Sequence, residues 1–188
     1  MRSLPMRLTI SKALFFSGFS FAINFVVATN TYAVQVCQDE NILASTPSER
    51  FLQEKNGTVT DKKTGLMWQQ CIVGLDGNNC DSGDAAEFSW GEALLYPSQK
   101  ESRGVYAGYN DWRIPNIREL TSIVEAQCSS PSINANIFPN TSLGHVWSSS
   151  PYSFYPHYSW YLDFTQGSHT YSDRMDKKSL RLVRDISN

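Results

Sequence analysis

The side chains best suited to chemistry crowd the second half of the chain. Between Trp147 and Tyr171 stand Tyr152, Phe154, Tyr155, Tyr158, Trp160, Tyr161, Phe164 and Tyr171, set among serines, Pro151, Pro156 and His157. Rigid amphipathic rings beside adaptable hydroxyls make recognition surfaces, and ring faces also stack on sugars. Tyr152, Tyr155, His157 and Tyr158 are the candidate ligand-binding residues. Strand alternation sends others inward: Trp160, Leu162 and Phe164 share one face, and with Trp147 are expected to fill a core.

Catalysis finds little support. His145, His157 and His169 fall in loop-rich sequence, none within a nucleophile or metal motif, and Ser149 and Asp163 complete no known pattern. The chain reads as a non-enzyme with no cofactor and no metal. Asp76, Asn78, Asn79, Asp81 and Asp84 supply oxygens of the kind calcium takes, six to eight at a time. The same residues are plain turn chemistry pinned by Cys80, and the turn is the preferred reading. Arg174, Lys177, Lys178, Arg181 and Arg184 would suit a polyanion. Asp173, Asp176 and Asp185 interrupt them, so a solvated strand end is expected instead.

Four cysteines allow three pairings. Asp76-Gly77-Asn78-Asn79 is a turn that brings Cys71 to Cys80, and elimination then joins Cys37 to Cys128. A zinc site is disfavoured, because C-x-x-C spacing and clustered histidine are both missing.

Disulfides need an oxidising compartment, and the N-terminus supplies the route. Arg2, Arg7 and Lys12 precede an apolar run from Ala13 to Ala28, and Thr31-Tyr32-Ala33 ends on a small residue. That order is a secretory signal, expected to cover 1–33 and to be cleaved after Ala33. The run falls short of the ~20 apolar residues of a membrane span. Val34-Gln35-Val36 lacks the small residue that precedes a lipid-modified cysteine, so lipidation at Cys37 is not expected. Of 16 basic and 18 acidic residues the signal takes three and none, which leaves 13 − 18 = −5. A mildly acidic protein advertises neither nucleic acid nor anionic membrane as partner.

The elements that must position these residues follow from local signals. Residues 34–49 are polar and aperiodic, an arm held by Cys37, and the domain runs from 50 to 188. Phe51 onward reads as a strand, Asn56-Gly57 as a hairpin turn, and Thr58-Val59-Thr60 as the returning strand. Leu66-Met67-Trp68 follows a turn at 63–65, and 74–87 is a loop. Ser89 with Glu92, and Asn116 with Glu119, are capping boxes opening two helices, the first stopped by Pro97. Ile117, Leu120, Ile123 and Val124 mark one buried face. Strands are expected at Val146–Ser150, Trp160–Thr165, Ser168–Asp173 and Ser179–Asp185, with Gln166-Gly167 as a hairpin turn. The class is α+β: two helices, a twisted antiparallel sheet and long loops.

Several strings fit one family together. They are G-T-V-T-D-K-K-T-G-L-M-W-Q at 57–69, S-W-G-E-A-L at 89–94 and A-G-Y-N-D-W-R-I-P-N-I-R-E-L at 107–120. I-N-A-N-I-F-P-N-T at 133–141, V-W-S-S-S-P-Y at 146–152, W-Y-L-D-F at 160–164 and L-R-L-V-R at 180–184 complete the series. In order and spacing the chain resembles the Lcl C-terminal domain family, named for a collagen-like bacterial adhesin. The resemblance implies a C-type-lectin-like fold, also similar to formylglycine-generating enzymes. Those enzymes use late cysteines, and none follows Cys128 here, so their activity does not carry over. No Gly-X-Y repeat is present either, so the adhesin's trimerising stalk is missing. Asn110-Asp111-Trp112 holds the lectin calcium residues in another order; Asp111, Trp112 and Arg113 read as structural. The expected function is an exported, adhesin-like recognition domain for a glycan or protein, secreted or periplasmic. The alternative is a structural or assembly subunit of a bacterial surface appendage or envelope complex.

Overall fold

The computed structural model describes residues 34–38, 40–99, 106–141 and 144–186. The expected export signal lies outside them. In chain order the strands and helices are β1 (Val36–Cys37), β2 (Phe51–Gln53), β3 (Thr58–Asp61), β4 (Leu66–Gln69), β5 (Leu75–Asp76), β6 (Ser82–Gly83), α1 (Trp90–Leu95), α2 (Ile117–Ser122), β7 (Cys128–Ser129), β8 (His145–Pro151), β9 (Tyr158–Asp163), β10 (Ser168–Asp173) and β11 (Val183–Asp185). The fold is α+β, with strands dominant.

One sheet runs β11-β4-β3-β2 and another β10-β9-β8, while β1-β7 and β5-β6 form short pairs. Turn chemistry explains the first sheet. Asn56 Oδ1 accepts from the Thr58 N–H and hydroxyl, and Gly57 takes φ +82°, a left-handed value that suits glycine. The connection spans 54–57, so Gln53 pairs with Val59. At the next corner Asp61 accepts from Lys63 N–H and the Thr64 hydroxyl, which turns the chain into β4. β11 then returns from the far end of the domain to place Val183 against Trp68.

Both helices start where their capping boxes lie. Glu92 accepts from the Ser89 N–H, and Asn116 and Glu119 exchange bonds at 3.0 and 2.7 Å. Each helix has six residues; α1 tightens into a 3-10 turn at Tyr96–Ser98, which contains Pro97. Leu120 is fully buried, as is Ile123 just past the end of α2, while Ile117 and Val124 pack at the margin.

The second sheet separates two apolar layers. Val146 and Leu162 face a core containing Trp68, Leu120, Phe138 and Phe164; Trp147 and Tyr161 face one containing Trp112, Leu180 and Leu182. Residue parity on β8 and β9 sets this division.

Both disulfides join as expected, Cys37 to Cys128 and Cys71 to Cys80. The N-terminal arm is also sewn down by Glu125, which accepts from the Ser45 and Thr46 backbone and hydroxyls. Several expectations change. The strand expected at Trp160–Thr165 is β9, two residues earlier at Tyr158–Asp163, and the arm pairs with β7 through β1. The 74–87 loop contains the β5-β6 pair, because Gly74 and Gly83 let the backbones approach. The last strand is shorter than Ser179–Asp185: the segment before it bonds irregularly, Leu180 and Leu182 carbonyls accepting from Val73 and Gln69. Among the described residues no helix is long and apolar enough to cross a membrane.

Candidate functional site

β8 reaches β9 in register at Trp147–Tyr161, breaks, and resumes only at Pro151–Ser159. The chain then leaves the sheet, and Tyr152 N–H returns to the Tyr158 carbonyl at 3.1 Å. This loop lays its rings over the end of the sheet. On β9, Tyr158, Trp160 and Leu162 share a face; α2 and its core neighbours cover Leu162, while Trp160 lies beyond them, half-buried.

Trp160 therefore belongs to a surface platform and not to the core, which corrects the expectation from alternation. The strand's parity is as read, but the layer above it ends before residue 160. Tyr152 packs edge-on to Trp160 at 5.1 Å and stacks on Tyr171 at 4.0 Å. Tyr155 stacks against Tyr152 at 6.0 Å and meets Tyr158 edge-on at 5.9 Å. Tyr158 closes the circuit to Tyr171 at 5.7 Å. Phe154, 80% exposed, leans on Tyr152, and His169 meets Trp160 at 5.5 Å. Burial, followed by the charge and hydrogen bond of Tyr171, holds the Tyr152 hydroxyl above its ordinary pKa.

Three of the four candidate residues, Tyr152, Tyr155 and Tyr158, are thus brought together. His157 is exposed beside them and takes part in none of these ring contacts; its carbonyl accepts from Arg174 N–H. Tyr171, Trp160 and Phe154 complete the platform and were outside the candidate set. The Gln166-Gly167 hairpin was the available signal, since it pairs Tyr171 directly with Trp160.

The basic residues are neither a polyanion patch nor a solvated strand end. Arg181 is wholly buried, donating to the Gln69 and Gln70 carbonyls and the Thr141 hydroxyl, and burial lowers its pKa to about 9. Arg184 is clamped by Asp111 at 2.6 and 3.0 Å over the Tyr109 ring. Lys178 is buried against the Trp147 and Tyr161 rings, and that burial lowers its pKa despite Asp176. Lys177 pairs with Glu92, and Arg174 lies over Trp90. Asp111 and Arg113 flank the buried Trp112, each paired elsewhere: Arg113 with Glu119 and Asp185, Asp111 with Arg184.

His145 and His169 lie on opposite faces of the second sheet, since their register partners Asp163 and Leu162 are adjacent on β9. Among the described residues no three His, Cys, Asp or Glu side chains gather as a cation site. An open groove lies beside α1 and α2, lined by Leu94, Trp112, Arg113 and Glu119, and another lies between the arm and the first sheet at Ser45, Arg50 and Lys62.

Residues 57–184 match the family described as the Lcl C-terminal domain. No curated protein matches the chain. The matched span holds the whole platform and three of the four cysteines, and leaves out the arm with Cys37.

Proposed function

This chain belongs to the Lcl C-terminal domain family, and from that premise we propose an exported, non-enzymatic recognition domain that binds a glycan or protein ligand through its tyrosine platform. The observation that carries this reading is the cluster itself. Seven aromatic side chains, Tyr152, Phe154, Tyr155, Tyr158, Trp160, His169 and Tyr171, are gathered at one end of one sheet face. Phe154, Tyr155 and Tyr171 are 80%, 56% and 41% exposed, and contiguous exposed apolar side chains mark interaction sites. The framework beneath is taken as C-type-lectin-like, supported by antiparallel sheets, two short helices and a C-terminal strand that closes on β4. Two disulfides fit a secreted or periplasmic location. The separation of His145 from His169 supports the non-enzymatic reading.

An array of glycans and host-matrix proteins, probed with the purified protein, tests it. A specific binder is expected, and alanine at Tyr155, His157 and Tyr158 together should abolish the signal. Binding that survives the triple substitution would remove the site assignment.

One observation favours a structural or assembly subunit as the second reading. β10 is an edge strand of six residues, and it contains neither proline nor lysine to discourage pairing with another chain. Co-purification from the native envelope in a fixed ratio with another subunit would favour it.

A further inference from the structure

We propose that the platform accepts uncharged hexose rings of a neutral polysaccharide and disfavours sulfated or carboxylated chains. The inference rests on the platform being the recognition site and concerns what that site admits. Residue parity decides it. Tyr158 and Trp160 on β9, with their register partners Asp173 and Tyr171 on β10, share one face of the sheet.

Ser159 and Tyr161 hold the opposite face, and the neighbouring cations are anchored there. Arg174 Nε donates to Ser159 Oγ at 2.9 Å, and the Lys178 ammonium lies 4.2 Å from the Tyr161 ring. Lys177 is tied to Glu92 on α1, Arg181 is buried, and Arg184 is bound to Asp111. The ionised group that the register sets beside the rings is Asp173, opposite Tyr158. A sulfate laid on the platform would meet a carboxylate, with the cations of 174–184 on the far side of the sheet or buried. Arg118, exposed on α2, offers a single charge, and a polyanion is held by several.

What remains suits a pyranose. Tyr152 and Tyr171 hide a face each against the other, while Phe154 and Tyr155 keep apolar area open. A sugar ring presents C–H groups to such area and hydroxyls to phenol oxygens and a rim carboxylate. None of these contacts needs a net charge.

Affinity electrophoresis of the full chain tests the proposal, through gels holding a β-glucan, a mannan or a dextran, and through gels holding heparin or alginate. Each is run at low and high salt, with Tyr155→Ala and Tyr171→Ala beside the parent. Near-UV circular dichroism checks folding, and Tyr171→Phe, which keeps the ring, replaces Tyr171→Ala if that variant is misfolded. We expect retardation by at least one neutral polysaccharide, indifferent to salt, and weakened about tenfold by Tyr155→Ala. Retardation by heparin or alginate alone, lost at high salt and lost in the tyrosine variants, would overturn the neutral preference and leave the platform standing. Retardation unchanged in every tyrosine variant would remove the platform itself. No retardation in any gel would also overturn the proposal.

Discussion

Asp61 offers the sharpest test of how this frame is held. Its carboxylate is fully buried at the end of β3 and accepts from both forks of Arg50, with Nε at 2.7 Å. It also holds Lys63 N–H at 3.0 Å and the Thr64 hydroxyl at 2.7 Å. The Arg50 side chain is itself only 7% exposed. Asp61→Asn preserves volume and leaves an oxygen for the turn. It removes the charge, points an amide N–H at the guanidinium, and strands a buried cation. Breaking one side of a buried pair costs about 3–5 kcal/mol, and the retained turn bonds place this case near 3. In an Arg50→Met background no cation is left stranded, so Asp61→Asn should cost about 1 kcal/mol there. The double-mutant cycle therefore predicts a coupling of about 2 kcal/mol. Urea unfolding followed by tryptophan fluorescence measures all four proteins. Additive costs, or a single-mutant cost below about 1 kcal/mol, would refute the reasoning. The pH dependence gives a second reading of the same group. Burial pushes the Asp61 carboxyl up, but bonds from Arg50, Thr64 and Lys63 outweigh it and hold the pKa below its ordinary value. Its contribution is thus present above the unfolded pKa of about 4 and lost as pH falls through the lower folded value. Asp61→Asn should flatten that acid limb.

Other outcomes follow from particular contacts. Glu125→Ala leaves the Ser45 and Thr46 donors unmet, so proteolysis within 38–46 should accelerate, with a stability loss of about 2 kcal/mol in urea. Mild reductant followed by alkylation and mass mapping should label Cys37 and Cys128 first, since Cys71 and Cys80 are 3% and 1% exposed and Cys37 is open. By chain entropy, losing the outer bridge, with its separation of 91 residues against 9, should cost about 2 kcal/mol more. Gly74→Ala should cost more than about 2 kcal/mol, because φ is +95° and a Cβ would come within 2.2 Å of the Asp84 carbonyl oxygen. Gly91→Ala, in open space on α1, should instead stabilise by about 0.5–1 kcal/mol.

Much of the frame was legible because its signals are local. The capping boxes at Ser89 and Asn116, the Asn56-Gly57 turn and the Asp76–Asn79 turn between cysteines each act over a few residues. Gln166-Gly167 set β10 to the residue. What was not legible depends on which layer ends where. Alternation gave Trp160 and Leu162 the same face correctly, yet only tertiary packing decides that α2 covers one and not the other. The basic residues near the C-terminus misled for a related reason. Charges interleaved with acids read as solvated, whereas Arg181 and Arg184 are drawn inward by the Gln69 and Gln70 carbonyls and by Asp111, more than 70 positions away in sequence. Three platform tyrosines are legible from composition; Tyr171 needs strand register to join them, and His157 is their neighbour in sequence without a ring contact to them.

The central claim is that recognition occurs on the tyrosine platform. Oxidative footprinting of the full chain, with and without the polysaccharide or matrix protein that gives the strongest array signal, tests it most directly. Protection should centre on Phe154, Tyr155 and Tyr171, with the exposed Leu94 unchanged. Protection of Leu94 in the groove beside α1, with those three rings still reactive, would contradict it.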